Sequence, residues 1–237
     1  MPLLLHIRPA SHYIICVLTH NIPIHLCVMW SSQRLSGSLP SQLGLLVRLE
    51  ELHLYENNLQ SSIPVALHHC TSLLIFRLQN NLFSGNLDGL FTENMLLENI
   101  DLSDNLLSGD IPQEVFTLPF INSIALSLNC FQGTLPDGIC SARNLSVLAM
   151  DGVSVAQNCR DVVVVPLSGV ALFTTLAGSI PACVWALPAL QVLHLTGNGL
   201  TGTIGGTLPH NTLLKNIAIG MYVCMYVCMY VCMYVCM

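Results

Sequence analysis

The asparagines of this chain fall in step. Asn57, Asn81, Asn105 and Asn129 recur with one constant period, 24, and the apolar positions around them keep the same phase. Before and after Asn57 stand Leu49, Leu52, Leu54 and Leu59. The same offsets hold Leu73, Phe76, Leu78 and Phe83, then Leu97, Ile100, Leu102 and Leu107, then Ile121, Ile124, Leu126 and Phe131. A fixed internal period constrains the fold more than any local propensity, because each unit must be one supersecondary turn that stacks on its copies. Within the unit, LxxLxLxx alternates apolar and polar positions, the pattern of a strand with one buried face. Stacked strands of this kind form a parallel sheet, and each turn completes its core only against a neighbour on either side. The asparagine stands where the chain leaves the strand. With its amide turned inward it satisfies backbone groups that the bend leaves without ladder partners, so Asn57, Asn81, Asn105, Asn129 and the later Asn198 are read as a structural ladder.

The second half of the unit recurs too, as Leu35-Ser-Gly-Ser-Leu39-Pro40, Leu107-Ser-Gly-Asp-Ile111-Pro112 and Phe131-Gln-Gly-Thr-Leu135-Pro136, with Ile63-Pro64 and Ile180-Pro181 in the same slot. Asp88 and Gly205 replace the proline, and Gln33 replaces the asparagine in a partial first turn carried by Val28 and Trp30. Over roughly residues 25 to 220 the chain resembles the plant-type leucine-rich repeat family, LxxLxLxxNxLxGxIPxxLxxL, and is similar to the ectodomains of its receptor-like proteins and kinases. That resemblance implies an α/β-type solenoid, a right-handed superhelix of 24-residue repeats with a parallel sheet on its concave face. It also implies an extracellular or cell-surface setting.

Three regions depart from the period. Residues 1–24 are apolar, but His12, His20, Asn21 and Pro23 break the runs that a secretory leader needs, so the segment reads as a degenerate leader or a misassigned start. Residues 25–220 are expected to form the repeat domain. Inside it Leu145, Leu148 and Met150 open a period whose asparagine slot holds Val153, and the next clean turn is Leu190, Leu193, Leu195, Asn198, Leu200 and Gly202. Residues 151–175 are therefore read as an irregular insertion, with Val162 to Val165 as a buried strand that keeps the sheet continuous. Cys140 and Cys159 flank it and, in an oxidising compartment, are placed to bridge it; two buried thiols are the alternative. Residues 221–237 are a tail of MYVC units, which the four-base unit ATGT spells when read in frame. The tail begins where the turn of Leu214, Ile217 and Ile219 needs its asparagine, so the array reads as truncated there; a membrane anchor of 17 apolar residues is the other reading.

Composition excludes several functions. Charged residues are 8% of the 237 and the formal net charge is -6, which leaves no basic surface for nucleic acid. Lys215 is the single lysine, and it follows Leu213-Leu214 rather than a glycine loop, so neither a phosphate loop nor a kinase fits. Of 11 cysteines, Cys224, Cys228, Cys232 and Cys236 belong to the tail, and the other seven show neither a compact disulfide framework nor a CxxC zinc site. His68-His69-Cys70 is the one dense cluster of metal-ligand types, but it falls on the convex side of a turn, where adjacent side chains are expected to point apart. No metal, cofactor or catalytic residue is expected, because GxSxG is absent and Glu50, Glu51, Asp101 and Asp104 are placed by the repeat rather than as an acid and base pair.

What remains is the outward face of the strands. Its columns read Glu51, His53, Tyr55; Ile75, Arg77, Gln79; Asn99, Asp101, Ser103; Ser123, Ala125, Ser127; and later Val192, His194, Thr196. With strands about 4.8 Å apart, five turns span about 20 Å, enough for a peptide or a partner's loop. Tyr55, His53 and Arg77 are the expected anchors, since aromatic and arginine side chains dominate interface energies. The expected function is a recognition module for a protein, peptide or glycan ligand, in receptor-like signalling or defence, and not an enzyme. The alternatives are an inhibitor of secreted cell-wall hydrolases, like the polygalacturonase inhibitors, and a non-functional truncated fragment.

Overall fold

The computed structural model describes residues 26–152, 176–202 and 213–219, together with the backbone of Ile15–Val17, Val163–Val164 and Ala171–Leu172. Alternation along Leu49–His53, Ile75–Arg77, Asn99–Asp101, Ser123–Ala125 and Val147–Ala149 produces short strands whose central residues Leu52, Phe76, Ile100, Ile124 and Leu148 are buried. The strands are parallel neighbours. Phe76 pairs with Leu52 and Ile100, and Ile124 with Ile100 and Leu148, so each partner is the equivalent residue of the adjacent turn. Leu26–Met29 extends this sheet on one side, and Val192–His194 and Asn216–Ala218 extend it on the other; with the edge strand Ile15–Val17 it has nine strands. Ile15–Val17, inside the segment set apart from the array by its sequence, pairs antiparallel with Leu26–Met29 and occupies the sheet edge. At the opposite end, where Asn216–Ala218 is the last described strand, Ile217 is 46% exposed.

After each of these strands the chain bends into a second, seven-stranded parallel sheet that includes Asn58–Ser62, Leu82–Gly85, Leu106–Asp110 and Cys130–Thr134. A proline then opens most of the remaining arcs. Pro40, Pro64, Pro136 and Pro181 precede the short 3-10 helices Ser41–Leu45, Val65–His69, Asp137–Ser141 and Ala182–Ala186. The ring's fixed backbone angle suits this entry, and its missing N–H falls where a helix start has no partner for one. Neighbouring arcs stack so closely that a methyl group on Gly44 would collide with the Ala66 carbonyl. Between the two sheets and the arcs lies one apolar core, filled by Phe76, Phe83, Phe116, Phe131 and the repeat leucines.

The bends are held by amides. Asn81 donates from Nδ2 to the Leu54 and Leu78 carbonyls at 2.9 and 3.0 Å, and its Oδ1 accepts the Leu59 N–H at 3.0 Å. Asn105 repeats this with Leu78, Leu102 and Phe83, and Asn129 with Leu102, Leu126 and Leu107. The Leu54, Leu78 and Leu102 carbonyls thus each accept from two asparagines one turn apart. Asn57 and Asn198 sit the same way at the two ends of the described ladder.

The residue before each ladder position is left-handed. Ser32, Glu56, Asn80, Asp104 and Leu128 have φ between 53° and 58°, and Gly152 and Gly197 continue the column at 56° and 71°. Glycine, asparagine and aspartate tolerate this region, whereas a leucine there costs roughly 1–2 kcal/mol. Leu128 is also 47% exposed, so little burial offsets that cost.

The insertion corrects two expectations. Leu148 pairs directly with Leu193, so the pairing skips everything between them, whereas Ile124 and Leu148 are separated by a single period. The second sheet does the same: Phe131 pairs with Gly109 of the preceding turn, and on its other side Gly133 pairs with Leu176, beyond the insertion. Both sheets therefore run straight past the insertion, and the extra residues enter between Gly152 and Leu176. Val163–Val164 does not bridge the main sheet; it pairs antiparallel with Ala171–Leu172 in a separate hairpin. Nor does Cys140 pair with Cys159, which lies outside the described residues. With the insertion set aside, the arcs Asp137–Ser141 and Ala182–Ala186 become neighbours, and Cys140 is bonded to Cys183 with Cα atoms 5.4 Å apart. On the chain-entropy account, closing a loop of 43 residues contributes about 4 kcal/mol. Cys130 is also disulfide-bonded. The MYVC tail and most of residues 1–24 lie outside the described residues.

Two substitutions test this account of the bends. Asn105→Asp keeps the shape but turns both donors into acceptors facing the Leu78 and Leu102 carbonyls; chemical denaturation should show a loss of about 3 kcal/mol or more. A loss under about 1 kcal/mol would mean that the amides are bystanders. Leu128→Asn should raise stability by about 1 kcal/mol, because it relieves the left-handed leucine at an exposed site; an unchanged or lower unfolding midpoint counts against the assignment.

Candidate functional site

Because the strands alternate, every second side chain leaves the core and joins a column on the outer face of the nine-stranded sheet. Strand pairing places Glu51, Ile75, Asn99, Ser123, Val147 and Val192 side by side in one row, and His53, Arg77, Asp101, Ala125, Ala149 and His194 in the next. Backbone hydrogen bonds align a third row, Tyr55, Gln79, Ser103, Ser127, Asp151 and Thr196. Arg77 is exposed and the other seven residues expected for binding, Glu51, His53, Tyr55, Gln79, Asn99, Asp101 and Ser103, are half-buried.

At one end His53 stands at the centre of a small cluster. Its Nε2 is 3.0 Å from Glu51 Oε2, and its ring meets Tyr55 edge to face with centroids 6.3 Å apart. Arg77 lies beside His53 in the same row, with Asp101 next along from Arg77. The Asp101 carboxylate accepts the Ser103 N–H at 3.1 Å, which holds it along its own strand. Gln79 has its side-chain oxygen buried without a hydrogen-bond partner among the described residues.

Asp151 organises the other end, a role that the sequence hides because the residue stands at the edge of the insertion. Counting one period from Ser127 recovers it. Its Oδ1 accepts from both the N–H and the hydroxyl of Thr196, at 2.7 and 2.6 Å, and His194 Nδ1 is 3.4 Å from Oδ2. Its own N–H donates to Ser127 Oγ at 3.0 Å. Three strands are thereby joined through side chains at the point where the insertion leaves the array.

The convex side corrects another expectation. His68 and His69 do not point apart; their Nε2 atoms are 3.0 Å from each other. In a 3-10 helix, residues three apart share a face, so Leu67 and Cys70 both turn inward and are buried. His68 and His69 are left together on the outer arc. Cys70 is not a ligand there: its thiol donates to the Leu43 carbonyl, and burial pushes its pKa up to about 11, which keeps it neutral at physiological pH. Among the described residues, no helix is long and apolar enough to cross a membrane.

Comparison with known proteins agrees with this geometry. The family model described as Leucine Rich Repeat matches residues 48–70 and 96–118. Receptor-like protein 35 of Arabidopsis thaliana is 30% identical over 128 residues, which is 54% of this chain and 13% of that protein. Among solved structures, the ectodomain of the Arabidopsis membrane receptor kinase GASSHO1/SCHENGEN3, in complex with CASPARIAN STRIP INTEGRITY FACTOR 2, superposes with a TM-score of 0.67 at 28% identity, covering 81% of this chain and 20% of that one. The Arabidopsis receptor kinase HAESA, in complex with the peptide hormone IDA and the co-receptor SERK1, gives 0.60 at 30% identity over 79% and 32%. The chain therefore spans no more than a third of any of these relatives. By its repeats, its parallel sheets and these likenesses, it is a leucine-rich repeat solenoid that resembles the ectodomains of plant receptor-like proteins and kinases.

Proposed function

We propose that this chain is a recognition module, and that the outer face of its nine-stranded sheet binds an extended peptide or a protein segment laid across the strands. The observation that carries the reading is the array of outward side chains, most of them polar and half-exposed, in register from Glu51, His53 and Tyr55 to His194 and Thr196. Such an array offers hydrogen bonds at strand spacing and leaves the core untouched when its residues change. Arg77 is the single arginine or lysine among these outward positions, with Glu51 and Asp101 on the strands to either side of it. The ligand that fits presents one acidic group to Arg77 and hydrogen-bond donors to the carboxylates beside it. Tyr55 supplies the rigid apolar anchor. The complex of the receptor kinase HAESA with the peptide hormone IDA supports a peptide as the ligand class.

The role is recognition in signalling or defence, not catalysis. The setting is the cell surface or the extracellular space, and the Cys140–Cys183 disulfide supports it, because such bonds persist in oxidising compartments. A library of secreted plant peptides screened against the chain, with the hits titrated by calorimetry, tests the proposal. Arg77→Glu and Tyr55→Ala should each weaken a hit at least tenfold, while Glu114→Ala on the opposite side leaves it unchanged. Hits indifferent to both concave changes would move the binding surface elsewhere.

A further inference from the structure

We infer that His68, His69 and Glu93 form a site for a divalent cation of the zinc type that clamps two adjacent turns on the convex side. The three residues bring one ligand atom each to within 4.8 Å of one another. His68 and His69 close the arc of the turn that begins at Leu49, and Glu93 comes from the equivalent position of the next turn. The site is remote from the recognition face and does not depend on that reading.

The hydrogen bonds around the histidines select their tautomers. His68 Nδ1 faces the Gly89 carbonyl at 3.4 Å, an acceptor only, so that nitrogen carries the proton and Nε2 carries the lone pair. His69 Nδ1 faces Glu93 Oε2, also at 3.4 Å, which by the same logic leaves its Nε2 unprotonated. The two unprotonated nitrogens then lie 3.0 Å apart, with the rings crossed at 87° and their centroids 3.9 Å apart. Rotation of these surface side chains turns both lone pairs toward one ion in place of the edge-to-face contact. Two nitrogens on a tetrahedral zinc, with bonds of about 2.0–2.1 Å, stand about 3.3 Å apart, close to the separation already present. Glu93 is either the third ligand or the carboxylate that orients His69 from behind, and water completes the shell.

The site is built on a fixed base. Asn94 is 2% exposed, and its Nδ2 donates to the Leu67 and Cys70 carbonyls at 3.1 and 3.0 Å. Those carbonyls belong to the arc that carries the histidines, so Asn94 fastens the Glu93 backbone directly over it. The backbones of all three residues are thus positioned before an ion arrives, which lowers the ordering cost of binding. Imidazole and carboxylate together suit zinc rather than calcium or magnesium, which prefer oxygen alone.

Isothermal titration with zinc chloride tests the inference on the full chain. Any zinc held by tail cysteines is common to wild type and variants and cancels in the difference. His69→Ala should lose one equivalent of zinc, and Glu93→Gln should keep it with several-fold lower affinity. Both side chains are about half exposed, so the variants are expected to fold. As a second measurement, the Cε1–H proton resonances of His68 and His69 should shift together on adding zinc at constant pH. Equal zinc stoichiometry and affinity in wild type and His69→Ala would overturn the site. So would imidazole signals that respond to pH and not to zinc, which would mean that a shared proton fills the gap between the rings.

Discussion

Three leucine carbonyls hold this structure in step. The Leu54, Leu78 and Leu102 oxygens each accept one hydrogen bond from the asparagine of their own turn and one from the asparagine of the next. A carbonyl has two lone pairs, and here both are used. Coupling between turns is therefore directional as well as apolar: the leucines make neighbours stick, and the amides fix how far each turn is displaced from the last. A slip by a single position would send every core side chain to the outer face. The amides add a second penalty, because the same slip leaves buried carbonyls and N–H groups without partners. The left-handed residue before each asparagine belongs to the same device, since it turns the chain sharply enough for the amide to enter the stack.

This coupling explains why the insertion does no visible damage to the array. It enters after Gly152, at the bend, where the chain is already leaving one sheet for the other. Asn198 then reaches across the gap and donates to the Met150 carbonyl at 2.8 Å, which restores the turn-to-turn bond beside the slot where Val153 replaces an asparagine. On the convex side the Cys140–Cys183 bond joins the same two turns covalently. A solenoid contacts only its nearest neighbours, so a long excursion is tolerated wherever the turns on either side of it still meet.

The strands, the core and the outward columns were legible because period and alternation are written directly in residue type: Leu52, Phe76, Ile100 and Ile124 fall where the spacing puts them. What was not legible depended on which distant segments meet. Val162 to Val165 read as a continuing strand because four β-branched residues are a local signal, yet the sheet closes without them through the direct pairing of Leu148 with Leu193. Cys140 and Cys159 read as partners because they flank the insertion, whereas stacking brings Cys140 to the arc one turn on. His68 and His69 looked divergent because adjacent side chains usually are; the inward pull of Leu67 and Cys70 on a 3-10 arc reverses that. Asp151 stands one period after Ser127, but the loss of the asparagine at Val153 hides that phase.

The two faces of one strand or arc answer to separate demands, and that separation lets a repeat scaffold acquire function. Inward positions must keep apolar volume and amide stacking, or neighbouring turns part. Outward positions have no such duty. On the sheet this freedom gives a mixed row in which Arg77 stands between His53 and Asp101, and on the arcs it gives two imidazoles beside a glutamate. Neighbouring turns keep a constant displacement, so any two outward residues one period apart are held side by side whatever their chemistry. His69 and Glu93 are such a pair, and so are His53 and Arg77. Sites on this chain are thus assembled from pairs a period apart, and the ladder of amides supplies the precision they need.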